Sequence, residues 1–166
     1  MILLPTYLKR RIQDITPEFL RKEGIRGLLL DVDNTLTTHN SADLSPAVSQ
    51  WLRDMRDAGM KLMIISNNHR ERVHPFADRL GLPFLPDAKK PLSVGVHHCL
   101  SLMKLGKAET AIVGDQIFTD VMAGNLSGIR SILLEPIDPG ESWFIRFKRR
   151  LEKPVIAAAR KKAGQA

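Results

Sequence analysis

The chain has 166 residues, 43% of them hydrophobic and 26% charged, with 11 Gly and 10 Pro. That is one ordinary globular domain in length, able to bury roughly two-thirds of the surface of its unfolded chain, and too apolar for a disordered tail. No stretch approaches the roughly 18–20 continuous apolar residues of a membrane span. The apolar start Met1–Leu4 breaks at Pro5 before Lys9-Arg10-Arg11, so it lacks the form of a secretory signal. One cysteine, Cys99, cannot close an internal disulfide. The expectation is a cytoplasmic protein, soluble or peripheral at the inner face of the membrane.

The net charge of +7 is unevenly distributed. Residues 1–26 carry 6 Lys/Arg against 3 Asp/Glu, and residues 141–166 carry 8 against 2, whereas residues 27–140 carry 11 against 13. Basic ends on a slightly acidic middle suit contact with an anionic surface, lipid or nucleic acid; a pair of solvated helices would show the same pattern. The charge and motifs divide the chain into a basic amphipathic segment 1–26, a core 27–140 and a basic helical tail 141–166.

In chain order, Tyr7, Leu8, Ile12 and Ile15 form an amphipathic start, and Thr16-Pro17 opens a short helix. Gly27–Val32 is apolar until its end, as a strand covered on both faces should be. Ser45-Pro46 caps a helix carrying Val48, Trp51, Leu52 and Met55 at helical spacing, with Gly59 to stop it. A strand at Lys61–Ile65 follows, then a helix to about Leu80, with Gly81 beyond it. Phe84-Leu85 is a short third strand, and Pro91 to Leu105 a third helix ending at Gly106. Thr110–Val113, a helix over about Phe118–Ser127, and Ile129–Leu134 complete the core. Beyond Pro136, a tail helix places Trp143, Phe144, Phe147 and Leu151 on one face, either to pack on the domain or to meet a membrane. Short apolar strands alternating with helices indicate an α/β fold: a single, doubly wound, parallel five-stranded sheet.

Ligands bind such sheets at the carboxyl ends of the strands, and the residues there are unusual. The first strand runs into Asp31-Val32-Asp33-Asn34-Thr35 and the second into Ser66-Asn67-Asn68. Lys89-Lys90-Pro91 precedes the third helix, and Gly114-Asp115, with Asp120 beyond, follows the fourth strand. One Asp after a strand is ordinarily a turn residue; four such features at four strand ends are not. Asp31 and Asp33 leave the same face if the strand continues, and Asp115 approaches Asp31 if their strands are neighbours. Clustered carboxylates repel without a cation between them, and an oxygen cage with few protein ligands suits Mg²⁺. Carboxylates and metal facing Ser and Lys suit a dianionic phosphate, with a carboxylate as the nucleophile.

This order of motifs, Asp-x-Asp-x-Thr, strand-end Ser, Lys and Gly-Asp with a further Asp, resembles the haloacid dehalogenase (HAD) superfamily across residues 31–120. The resemblance implies a Mg²⁺-dependent phosphomonoester hydrolase working through an aspartyl-phosphate. Asp31 would be the nucleophile and Asp33 the acid and then the base. Asp31, Asp115 and the Asp33 carbonyl would hold Mg²⁺. Ser66, the Asn67 backbone and Lys90 (with Lys89 as the alternative) would bind phosphate. Asp120 would orient the metal shell, and Thr35 would brace the first loop. The gaps of 35 residues from Asp31 to Ser66 and 24 from Ser66 to Lys90 leave no room for a lid domain, which favours a substrate whose bulk lies outside: a lipid, protein or nucleic acid.

Asp14-Ile15-Thr16-Pro17-Glu18, Ser66-Asn67-Asn68, Lys90-Pro91 and Gly114-Asp115-Gln116-Ile117-Phe118-Thr119-Asp120 are similar to the lidless subclass IIIA members of the YqeG type, a group similar to the mitochondrial phosphatidylglycerophosphate phosphatases. That resemblance implies phosphatidylglycerophosphate as substrate and peripheral contact with an anionic membrane. A phosphatase for a soluble phosphosugar, nucleotide or phosphoprotein is an alternative, and a non-catalytic adaptor on membrane or RNA is another. The intact Asp31/Asp33 pair speaks against the adaptor, and no nucleic-acid motif appears. His39, His69, His74, His97 and His98 lack metal-ligand spacing, and Cys99, inside a helical segment, is a packing residue.

Overall fold

The computed structural model describes residues 2–38, 43–137, 153–158, 160 and 161. Six strands form one sheet: β1 (Tyr7–Lys9), β2 (Gly27–Leu30), β3 (Lys61–Ile65), β4 (Phe84–Leu85), β5 (Thr110–Gly114) and β6 (Arg130–Leu134). Their order is β1-β6-β5-β2-β3-β4, and every pairing is parallel. From β2 the chain winds outward to β3 and β4, then crosses back to β5 on the other side. The switch in direction therefore lies between β2 and β5, where sheets of this class open a crevice.

Helices cover both faces. Leu28, Leu30, Leu62, Ile64, Ala111 and Val113 share one core with Val48 and Trp51 of α2 (Pro46–Asp57) and Phe76 of α3 (Arg70–Leu80). Leu29, Met63, Ile65 and Ile112 point the other way, into a second core with Val96, Cys99 and Met103 of α4 (Ser93–Met103) and Ala123 of α5 (Met122–Ser127). This alternation explains why β2 is apolar at every position: both of its faces are buried. The Ser45 hydroxyl accepts a hydrogen bond from Val48 N at 3.2 Å and caps α2. Gly81, at φ 59°, ends α3 in the left-handed conformation that glycine takes without steric cost.

The expected five strands become six because the amphipathic start supplies one. Tyr7–Lys9 pairs with Ile132–Leu134 at the sheet edge. Three residues are too few to separate strand alternation from helical spacing, and the partner lies some 125 residues away, so local periodicity carried no sign of the pairing. Tyr7 meets Phe19 of α1 (Pro17–Lys22) edge to face, with ring centroids 5.1 Å apart. Further boundaries shift: the strand expected over Gly27–Val32 ends at Leu30, and the helix expected from Pro91 begins at Ser93. The helix expected to run to Leu105 ends earlier, with Lys104 in the left-handed region at φ 52°, and the helix expected from Phe118 begins as a π-helical turn, Ile117–Val121. The tail residues Trp143, Phe144, Phe147 and Leu151 lie outside the described residues; positions 153–158, 160 and 161 are helical.

Ile12, Ile15, Leu20 and Ile25 are fully buried, so the N-terminal segment is part of the core. Trp51 secures it, donating its indole N–H to the carbonyl of Ile15 at 2.7 Å. Trp51→Phe removes the indole N–H and part of a buried ring, stranding that carbonyl at an expected cost of at least about 1–3 kcal/mol. Urea unfolding checks this value, and an unchanged midpoint would contradict it.

Candidate active site

The register of the sheet assembles the site. Leu30 lies opposite Val113 of β5 and Ile64 of β3, so the residues just beyond, Asp31, Asp115 and Ser66, emerge on three adjacent strands at one edge. Asp31 N donates to the Val113 carbonyl at 2.9 Å, which continues the ladder by one residue and fixes the start of the loop. That loop turns sharply: Asn34 takes φ 57°, and its N–H donates to the Thr37 carbonyl at 2.7 Å.

Lys90 is the centre of the charge arrangement. Its ammonium donates to Asp31 Oδ1 at 2.7 Å, to Asp120 Oδ1 at 2.6 Å and to the Ile65 carbonyl at 3.2 Å. Lys90, Asp31, Asp115 and Asp120 are all buried, at 6, 8, 2 and 2% exposure. Lys89 is exposed, so of the two adjacent lysines only Lys90 enters the cluster. Burial pushes the Asp31 carboxyl up, to about 7 from an ordinary 3.8; the Lys90 charge pulls it down, and Asp120 adds to the rise. Burial alone would lower the Lys90 pKa, but the carboxylates of Asp120 and Asp31 more than reverse this and hold it above its ordinary value. The lysine therefore stays charged.

Asp120 reaches inward from the π-helical turn, a device often found at functional sites. Its second oxygen accepts from Gln116 N at 3.2 Å. Gly114 makes room for it: a Cβ there would collide with the Asp120 carboxylate. Single carboxylate oxygens of Asp31, Asp115 and Asp120 lie within 4.8 Å of one another, close enough to share one metal ion. Three oxygen donors of this kind fit a hard divalent cation such as Mg²⁺. No histidine joins this group among the described residues, and burial pushes the Cys99 thiol up to about 12, where it is inert as a nucleophile.

Asp33 lies outside the metal-sized group, although its charge also raises the Asp31 carboxyl. Its two carboxylate oxygens accept from Asn68 Nδ2 and from Arg72 Nη2 of α3, each at 2.7 Å. Neither Asn68 nor Arg72 was assigned a role from sequence: Asn68 sits in the flagged loop, but Arg72 reaches Asp33 only through the tertiary placement of α3. Ser66 is buried, with its hydroxyl accepting from Asn68 N at 3.1 Å. Asn67 and Lys90 form a reciprocal pair, Lys90 N to Asn67 Oδ1 at 2.7 Å and Asn67 Nδ2 to the Lys90 carbonyl at 2.9 Å. That pair locks the loop after β3 to the loop before α4. Thr35 is also buried, and its hydroxyl has no hydrogen-bond partner among the described residues. All eight residues singled out from the sequence thus lie at one edge of the sheet: Lys90 with the three aspartates and clasped by Asn67, Ser66 linked to Asp33 through Asn68, and Thr35 in the first loop.

Known proteins share the sequence pattern and the fold of this chain. The family model described as mitochondrial PGP phosphatase matches residues 1–138. The probable phosphatase YqeG of Bacillus subtilis (strain 168) is 34% identical over 159 residues, which cover 96% of this chain and 92% of that protein. Phosphatidylglycerophosphate phosphatase 1, chloroplastic/mitochondrial, of Arabidopsis thaliana is 27% identical over 164 residues; the match covers 93% of this chain but 47% of that longer protein. An uncharacterized protein from Listeria monocytogenes serotype 4b shares the fold with a TM-score of 0.59 at 17% identity, covering 70% of this chain and 84% of that one. A putative HAD family hydrolase from Streptomyces avermitilis MA-4680 does so with a TM-score of 0.50 at 17% identity, covering 66% and 76%. Site and relatives together define a phosphatase, on a fold shared with a putative HAD family hydrolase. Within that class, the chain belongs to the mitochondrial PGP phosphatase family.

The charge balance at Lys90 predicts a stability effect without metal. Because the folded pKa of Asp31 is raised from 3.8 to about 7, stability is full below the lower value and is lost as pH rises through the upper one. Asp31→Asn removes this loss. In the presence of chelator, the variant should melt above the wild type at pH 8, with the gap shrinking towards pH 4. A wild type that melts higher at pH 8 would contradict the balance described.

Proposed function

We propose that the protein hydrolyses a phosphomonoester by attack of Asp31 on phosphorus, and that its substrate is phosphatidylglycerophosphate. The observation that carries the reading is the buried set of Asp31, Asp115 and Asp120 around one lysine at the crevice between β2 and β5. The names of the relatives support the choice of substrate. Among the described residues, the connections from β2 to α2 and from β3 to α4 hold no separate lid domain, which supports a substrate with its bulk outside the site.

Asp31, Asp115 and the Asp33 carbonyl would hold Mg²⁺, with Asp120 orienting them; bound there, the ion supplies positive charge to the phosphate oxygens and relieves the repulsion among the carboxylates. Lys90 adds a permanent positive charge and fixes the orientation of Asp31 through one carboxylate oxygen. The Ser66 hydroxyl and the Asn67 backbone bind phosphate oxygens. Asp31 attacks phosphorus as the ester P–O bond breaks, and Asp33 gives its proton to the departing alkoxide. Asp33 then takes a proton from water, whose oxygen attacks phosphorus; the bond to Asp31 breaks, releasing phosphate and restoring both carboxyl groups. Asn68 and Arg72 hold Asp33 in place between the two steps.

Phosphate release from phosphatidylglycerophosphate, glycerol phosphate, a nucleotide and p-nitrophenyl phosphate, with and without Mg²⁺, tests the reading. Asp31→Asn should abolish turnover on all of them, and more than a few per cent of residual activity would contradict its role. Asp33→Asn should slow alkyl esters by about 10²–10⁴-fold and aryl esters much less, since a phenolate leaves without a proton. Equal losses on both would make Asp33 a scaffold only. Turnover of a soluble ester far above the lipid would move the substrate to the soluble class.

We also propose peripheral contact with an anionic membrane, supported by the basic ends of the chain and by the exposure of Lys153, Arg160 and Lys161. Co-sedimentation with phosphatidylglycerol vesicles should occur at low salt and fall at high salt, with little binding to neutral vesicles. Equal binding to neutral vesicles would contradict an electrostatic attachment.

A further inference from the structure

A cleft of about 440 Å³ opens beside the carboxylate cluster, and Asp115 lines both. Its walls are mainly apolar: Leu8 of β1, Leu133 of β6, Pro136 beyond it and Ile156 of the tail. Leu8 and Ile156 are only partly buried, packed against the small core of Ile117, Val121 and Leu133. Arg10, Lys153 and Arg160 line the same cleft, against one further carboxylate, Glu135, which pairs with Arg10 at 3.8 Å and with Arg160 at 3.2 Å. The excess at the rim is cationic.

An apolar cleft is unremarkable on a small domain, but this one combines three features. It is continuous with the site where a phosphate would sit, its walls are too apolar to favour water, and its rim is positive where an anionic group next to an alkyl chain would lie. We infer that the cleft receives the alkyl portion of an anionic, amphiphilic phosphomonoester while the phosphate occupies the carboxylate site. Arg10, Lys153 and Arg160 face a second anionic group between the two. This inference rests on the phosphatase reading and deepens it, because it assigns the chain of the substrate to the protein surface and only the remainder to the bilayer.

The test separates binding from turnover. Octylphosphonate and ethylphosphonate, which lack the scissile ester oxygen, are titrated calorimetrically into the full-length wild type with Mg²⁺, below the micelle concentration. Six additional methylenes, even partly buried, should make octylphosphonate at least about tenfold tighter, and inorganic phosphate should displace both. Ile156→Gln, at a half-buried position, should reduce the octyl preference to under about threefold. It should leave the affinity for inorganic phosphate within about twofold of the wild type, since phosphate has no alkyl chain to meet Ile156. Ile156→Ala repeats the comparison should the glutamine variant lose its cooperative melt. Equal affinity for the two phosphonates, octyl binding that phosphate does not displace, or an undiminished preference in a folded Ile156 variant would overturn the inference. Absence of phosphate release from every ester would instead overturn the catalytic reading, while the binding result would still decide the cleft.

Discussion

One buried ammonium group determines how this site can exist. Lys90 lies between Asp31 and Asp120, and a carboxylate oxygen of Asp115 lies within 4.8 Å of theirs, in a place almost closed to water. Charges buried this deeply persist only when paired with good geometry, as Lys90 is with Asp31 at 2.7 Å and Asp120 at 2.6 Å. Carboxylate oxygens this close together suit a divalent cation, and a cation held there would in turn favour a phosphate. Elements around Lys90 serve to hold this arrangement. The Asn67 amide clasps the Lys90 backbone, Gly114 leaves space for Asp120, and the π-helical turn aims Asp120 inward.

Much of this was legible in the sequence because it is local. Asp31, Ser66 and Asp115 each follow an apolar run by one residue, and a parallel sheet whose strands are buried on both faces brings such positions to a common edge. The crossovers were legible through Ser45, Gly59 and Gly81, which begin and end helices by their own backbone chemistry. What could not be read was non-local. Strand β1 is three residues long and finds its partner at the far end of the chain. Arg72 reaches Asp33 from a helix whose rotation is set by Val73, Phe76 and Ala77 packing on the sheet. The choice of Lys90 over Lys89 followed from the resemblance and its Pro91 neighbour; burial of one and exposure of the other gives it a physical basis.

The two sides of the site have different characters. Towards β3 and α3 it is polar and tightly bonded, with Ser66, Asn68, Arg72 and Asp33 in one hydrogen-bonded group. Towards β6 and β1 it opens onto an apolar cleft with a cationic rim. A substrate with a phosphate at one end and a hydrophobic body at the other has a natural orientation on such a surface, even without an enclosing domain. Specificity in an open site of this kind derives from the direction in which the substrate leaves the phosphate pocket more than from enclosure of its whole shape.

The edge strand has a consequence for biosynthesis. Thr6 N donates to the Ser131 carbonyl at 2.9 Å, and Ser131 N donates to the Thr6 hydroxyl at 3.1 Å, so the sheet is closed by two segments from opposite ends of the chain. On the ribosome, residues 7–9 must wait unpaired until β6 has emerged, long after β2 and β3 can meet. The interior of the sheet, with Asp31 and Ser66 at its rim, can assemble first, and the outer wall of the apolar cleft arrives last. A nascent chain stalled before residue 130 would therefore expose Leu8 with no strand to receive it, a natural target for chaperones.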